Sequence, residues 1–207
     1  DRQKFVGNQY FCQLFVARSA RLCTYVKSNM RDFNGSKFVK FESLLEELER
    51  ELPIVPNIRE SFPESRQIKF STFKRDIYDG CGDNEVDALI AWTNIRSFIK
   101  GSIESLNNVQ SHVVSKEEYL SFKIFGKKRC RLADEQRKQV YKVYENYEET
   151  VTDRNAWDDC DRILAVVRRL QYAIRNCPDM FQGTETWCKW SKVYVDEVQD
   201  YTQMEIY

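Results

Sequence analysis

The chain carries no net charge, because 32 Lys and Arg are balanced by 32 Asp and Glu over 207 residues. No global basic field draws in nucleic acid, so any such surface must be a local patch. The seven cysteines (Cys12, Cys23, Cys81, Cys130, Cys160, Cys177, Cys188) are odd in number and contain no Cys-x-x-Cys pair, which indicates neither a zinc site nor a disulfide framework. A reducing, intracellular compartment, nuclear or cytoplasmic, is the expectation that follows. Histidine is reduced to His112, with no cysteine or acid arrangement around it suited to metal binding or nucleophilic catalysis, so it reads as structural. No run reaches the ~18 apolar residues of a membrane helix, and the N-terminus lacks a signal pattern. Nor is there a Gly-x-x-x-x-Gly-Lys-Ser/Thr loop, whose backbone amides and lysine hold nucleotide phosphates. What remains is 42% hydrophobic, enough for one domain with a real core or for a domain carrying an insertion.

The most pointed feature present is Val193-Tyr194-Val195-Asp196-Glu197-Val198-Gln199-Asp200. A β-branched and aromatic run stops abruptly at two adjacent carboxylates, the pattern of a buried parallel strand whose C-terminal end opens onto a ligand site. In a phosphate-hydrolysing site the two acids would have separate jobs, Asp196 holding Mg²⁺ and Glu197 polarising the attacking water. A strand leading into an acidic helix start would carry the same pair, because acids are favoured at a helix N-terminus.

Tyr10 to Val16 is an apolar run of strand length, followed by Ala17-Arg18-Ser19 and then by Leu22, Cys23, Val26 and Met30 at helical spacing. Strand, short turn and helix make the βα unit of a doubly wound sheet. Residues 31 to 65 read as surface, with Phe41 to Leu52 an acidic amphipathic helix ended by Pro53. Ile68 to Arg75 reads as a short strand running into a polar turn. Between 80 and 150 the texture becomes helical: Asp87 to Ile99 has an apolar side, Arg96 and Lys100 share a face, and Ser115 to Glu118 has the form of a capping box. Lys123, Lys127, Lys128, Arg129 and Arg131 form the densest basic cluster, with Phe122 and Phe125 among them. Such a set can grip phosphates and stack on bases, or it can simply face water. Gln139 to Tyr147 is a helix, and Trp157 to Asp161 opens another that runs through Leu170, with Asp158 and Asp161 as caps rather than catalytic groups.

The Asp-Glu-Val-Gln-Asp string at 196–200 resembles the Walker B motif of superfamily 1 helicases of the UvrD/Rep type. In matching order, the Arg18-Ser19 turn resembles motif Ia, with Ala17 where the family has Thr. Thr72-Phe73 resembles motif Ib, with Lys74 in place of His, and the stretch 80–150 corresponds to the helical 1B insertion. The string from Trp92 to Ser102 is similar to the helicase region of large animal and fungal proteins that also carry TPR and ankyrin repeats.

The resemblance implies an α/β fold, a partial RecA-like P-loop NTPase domain with a parallel sheet and a mainly helical insertion. Residues 1–79 would be its first part, 80–150 the insertion and 151–207 the second part ending in Walker B. It implies ATP and Mg²⁺ as cofactors, Glu197 and Asp196 as catalytic acids with Asp196 on the metal, and Gln199 and Asp200 relaying the nucleotide state. It further implies a single-stranded nucleic acid, DNA before RNA, against Arg18, Ser19, Thr72, Phe73, Lys74, Lys127, Lys128 and Arg129. By family order the phosphate loop should precede Asp1 and a second RecA-like domain should follow Tyr207. These residues alone are then expected not to hydrolyse ATP and to expose sheet edges. The other class that the sequence allows is a RecA-like scaffold or interaction module without activity. The adjacent acids favour the motor, since a scaffold has no use for them.

Overall fold

The computed structural model describes residues 12–30, 36–82, 85–181 and 190–207. Its elements run in the order β1 (Cys12–Ala17), α1 (Ala20–Asn29), β2 (Ser36–Lys40), α2 (Phe41–Glu51), α3 (Phe70–Phe73) and α4 (Ala88–Asn94). They continue with α5 (Ile103–Asn107), α6 (Lys116–Leu120), α7 (Asp134–Asp153), α8 (Asp159–Asn176), β3 (Trp190–Val195) and α9 (Gln203–Ile206). Two compact units result, one from Asp1–Ile58 and Val166–Asp200, the other from Arg59–Ala165 and Tyr201–Tyr207. The first junction falls before the 79/80 boundary expected from sequence and the second after 150/151. Both differences enlarge the helical unit.

The first unit holds the sheet. β1 lies between β2 and β3 and pairs with both in parallel, so that Phe15 faces Phe38 on one side and Tyr194 on the other. Its run begins as expected from the apolar pattern, although Tyr10 and Phe11 lie outside the described residues. Leu14, Val16 and Ala17 are buried, as are Cys23 of α1 and Phe41 and Leu45 of α2. Ser19 caps α1, its hydroxyl accepting from the Leu22 amide (3.3 Å). Pro53 stops α2 as expected, and the orphan carbonyls at that helix end go to buried Arg169, which donates to Glu49 O (2.6 Å), Pro53 O (3.0 Å) and Leu52 O.

Two features of the sheet differ from expectation. β2 falls where surface was expected, because Lys37 and Lys40 flank Phe38 and Val39 and leave no alternation to read. Lysine suits an edge strand, and Lys37 pairs with Glu47 of α2. β3 is parallel as expected but not buried, since it forms the other edge of the described sheet and leaves Val193 55% and Tyr194 47% exposed.

The second unit is helical. α3 continues through Lys74–Tyr78 in wider i→i+5 turns, replacing the strand expected over Ile68–Arg75. Phe70, Phe73 and Ile77 recur at helical intervals, and extended pairing is confined to Gln67 opposite Trp157. Phe73, Trp92 and Tyr147 then meet at the centre of the core, with ring centroids 5.0 to 6.0 Å apart. This packing moves the stretch around Phe73 into the helical unit. α4 likewise runs on through Ile95–Lys100, burying Ile95 and Ile99. Ser115 and Glu118 form the expected capping box, and His112 sits in a turn at φ 55° with its N–H on Asn108 O (2.9 Å).

Gly101 ends this helical run against Thr202. A Cβ there would fall 2.3 Å from Arg96 O and 2.9 Å from the Thr202 Cβ, and backbone cannot step aside as a flexible side chain can. Gly101→Ala should therefore destabilise the unit by about 1–3 kcal/mol through overpacking. An unchanged urea midpoint would show that the packing relaxes freely.

Candidate functional site

Parallel neighbours end at the same edge of a sheet, and in open α/β sheets that C-terminal edge is where ligands bind. Arg18 and Ser19 follow β1 there, and Asp196 to Asp200 follow β3. The Asp196 amide donates to Val16 O (3.0 Å), extending the ladder by one residue and delivering half-buried Asp196 and exposed Glu197 where the sheet stops. Glu197 adopts φ 49°, a left-handed conformation that residues with a Cβ seldom occupy. Val198–Asp200 make a single 3₁₀ turn, closed by the Asp200 amide on Glu197 O (2.8 Å). The Gln199 side-chain amide donates to the Glu197 carboxylate.

Arg18 is the strut of this loop. Its guanidinium donates to Asp200 O (3.2 Å) and lies 5.5 Å from the Phe41 ring centroid. Burial first, and the Asp196 charge in addition, push the pKa of the Cys23 thiol up and keep it protonated. Among the described residues no group of three or more His, Cys, Asp or Glu side chains could hold a metal ion alone.

The other expected contact residues lie in the helical unit. Lys123, Lys127 and Lys128 are exposed on the loop between α6 and α7. Wholly buried Arg137 pins that loop, donating to Cys130 O (2.7 Å), Tyr119 O and Leu132 O (both 3.3 Å), while its guanidinium lies 4.6 Å from the Phe122 ring centroid. Phe125 is fully buried in the core, so the base-stacking role expected for it does not fit this conformation, and Phe122 already carries Arg137 over its ring. Arg129 is committed to Glu104 through two bonds (2.7 and 3.1 Å), which raise its pKa, and to Gln203 (3.1 Å). Thr72 is half-buried and Lys74 exposed, but Phe73 between them is 0% exposed and would have to leave the core to touch a nucleic acid.

Sequence reasoning read Asp158 and Asp161 as caps but missed the buried ion pairs they make. Arg96 and Lys100 do share a face, and both reach the first turn of α8: Arg96 bonds Asp159 (3.0 Å), and Lys100 Nζ lies 2.9 Å from Asp158, 2.7 Å from Asp161 and 3.3 Å from Glu148. Asp158 and Asp161 also cap one another's amides (3.1 and 2.8 Å), and Tyr147 donates to Asp158 (2.5 Å). Burial would lower the Lys100 pKa, but the Asp158 charge, with Tyr147, Asp161 and Glu148, outweighs it and holds the ammonium charged. Burial and the neighbouring Asp158 push Asp161 up to about 6. Gln203 was also missed, although the Thr202-x-x-Glu205 capping box beside it has a readable spacing.

No helix among the described residues is long and apolar enough to cross a membrane. No solved structure matches the chain. It is similar to TPR and ankyrin repeat-containing protein 1 of Homo sapiens, 29% identical over 143 residues, which cover 67% of this chain and 4% of that protein. The chain thus spans a small fraction of the length of this relative. Residues 11–206 match the UvrD/REP helicase N-terminal domain, nearly the whole chain. A parallel sheet ending in adjacent acids, with a helical unit inserted in the chain between its strands, is the arrangement that this match implies, and the chain belongs to the UvrD/REP helicase N-terminal domain family.

Proposed function

We propose that the chain forms part of an ATP-dependent helicase or translocase, supplying its Walker B acids and part of its single-strand nucleic-acid surface. The observation that carries this reading is the meeting, at one sheet edge, of Asp196 and Glu197 after β3 with Arg18 and Ser19 after β1. Asp196 would hold Mg²⁺, which when bound neutralises phosphate oxygens. Glu197 is the general base that takes a proton from the attacking water. Gln199 holds the Glu197 carboxylate, and Asp200, tied to Arg18, carries the nucleotide state to the βα turn. The edge of β3 that is unpaired among the described residues suits a further parallel strand bearing a phosphate loop.

Arg18, Ser19, Thr72, Lys74, Lys127 and Lys128 are the residues assigned to the nucleic acid, with DNA before RNA, and Phe73 supports them from the core. Arg129 acts behind the lysines. The full-length protein should hydrolyse ATP with Mg²⁺ and do so faster with single-stranded oligonucleotide. Absence of turnover under both conditions would favour the inactive scaffold.

The lysines have their own test. Replacing Lys127 and Lys128 by Ala should weaken binding of a single strand and flatten its salt dependence by about 0.7 in log–log slope for each phosphate no longer neutralised. Fluorescence anisotropy at a series of salt concentrations measures this, and an unchanged slope would remove the loop from the surface.

A further inference from the structure

The turn that carries Glu197 has to be held in place. Its φ of 49° is a conformation that a residue with a Cβ keeps only where the surroundings over-determine it. One end of the turn is fixed by the sheet, through the Asp196 amide on Val16 O (3.0 Å). The other end is fixed by Arg18, whose guanidinium donates to Asp200 O (3.2 Å) while the Asp200 amide closes back onto Glu197 O (2.8 Å). Release of Asp200 would let Glu197 relax.

Arg18 is a long, half-buried side chain, and a flexible strut holds little unless something orders it. The neighbouring strand supplies that. β2 pairs with β1 in register up to Lys40 opposite Ala17, so Phe41 and Arg18 are the first residues past the paired ladder on adjacent strands. Phe41 opens α2, is buried together with Leu45 one turn on, and follows a helix entry tied by the Lys40–Glu42 ion pair (3.1 Å). The ring is therefore anchored. The Arg18 guanidinium lies over it at 5.5 Å from the centroid, within the range where an aromatic face attracts a cation. Phe41, Arg18, Glu197 and Asp200 all belong to the sheet unit.

We infer that Phe41 and Arg18 are positioning residues for the general base, the ring ordering the guanidinium and the guanidinium holding the turn that aims Glu197. This rests on the role proposed above for Glu197. Phe41 acts only through Arg18. Because Arg18 is also assigned to the nucleic acid, its part in hydrolysis is read with no oligonucleotide present, where a nucleic-acid contact contributes nothing.

Steady-state turnover of Mg²⁺-ATP by the full-length protein, together with amide hydrogen exchange over 197–200, tests this. Phe41→Leu keeps an apolar side chain in the buried position and removes the aromatic face. It should lower kcat about 10-fold and leave KM within about 2-fold, the pattern of lost orientation rather than lost ground-state binding. Exchange at the Asp200 amide should quicken in the same variant. Phe41→Tyr, which retains the ring, should restore both. Arg18→Ala should cost at least as much in kcat as Phe41→Leu, and adding Phe41→Leu to it should cost nothing further, since the ring then has no guanidinium to order. A loss of packing or of folding would instead persist in the Arg18→Ala background. Such persistence, or native kcat and native exchange in Phe41→Leu, overturns the inference and leaves Glu197 as the base. Absence of turnover in the native protein overturns the role of Glu197 and the positioning role together.

Discussion

Lys100→Met should lower the stability of the helical unit by about 3–5 kcal/mol, the usual loss when one partner of a buried ion pair is removed. Methionine preserves most of the apolar stem, so the loss isolates the charge. Without the ammonium, Asp158 at 1% side-chain exposure faces Asp161 and Glu148 with the Tyr147 hydroxyl and the Asp161 amide as its donors. Urea unfolding followed by Trp92 and Trp157 fluorescence measures the change, since both rings are buried in this unit. Asp158→Asn in the Lys100→Met background should recover part of the loss, and a double-mutant cycle gives the coupling. A single-variant loss within about 0.5 kcal/mol, the range of ordinary surface substitutions, would show that the cluster is not a keystone.

The same cluster sets a pH dependence whose sign is fixed by Asp161. Its folded pKa of about 6 lies above the ordinary 3.8, so between those values the folded state binds more protons than the unfolded one. Its contribution to stability is complete below the unfolded value and is lost as the pH rises through about 6. Asp158 works in the opposite direction: burial alone would raise its pKa, but Lys100 lowers it, and its contribution is lost only as the pH falls below the usual carboxylate range. Asp161→Asn should flatten the decline between pH 4 and 6, which urea midpoints across that window would register.

What the sequence made legible was local. β1 with the turn after it, the stripe of α2, its stop at Pro53 and the box at Ser115 are each encoded within one turn or one strand, so periodicity and capping chemistry suffice to read them. The strand ending just before Asp196 and Glu197 was readable because its β-branched and aromatic run stops abruptly at the Asp-Glu-Val-Gln-Asp string. What was hidden depends on neighbours far along the chain. Phe125 and Phe73 look like aromatics among lysines and hydroxyls until the core fills around them. Arg129 looks like one more basic residue of a solvated loop, but its partners Glu104 and Gln203 lie 25 and 74 positions away. The exposure of β3 was hidden for the same reason, since an apolar run does not say which strand pairs along its second edge. The stretch from Phe70 to Ile77 could have been read as a helix, because its spacing of three and four residues already pointed away from a strand.

Glu197→Gln should reduce ATP turnover by the full protein about 10²–10⁴-fold, the range assigned to a positioned general base, while Mg²⁺-dependent nucleotide binding persists. The amide matches the carboxylate in size and can still meet Gln199, but it cannot accept the proton of the attacking water. Folding should not obscure the result, because the Glu197 side chain is exposed and bonds to Gln199 two residues on. Glu197→Gly completes the argument from the other side. A glycine occupies φ 49° without the Cβ penalty, so this variant should be as stable as the native protein or more stable, while turnover falls at least as far as in Glu197→Gln. A thermal melt alongside a steady-state phosphate-release assay reads both effects. Retained turnover in either variant would remove Glu197 from the chemistry, whereas gain of stability with loss of turnover identifies a left-handed turn kept for function at the expense of the fold.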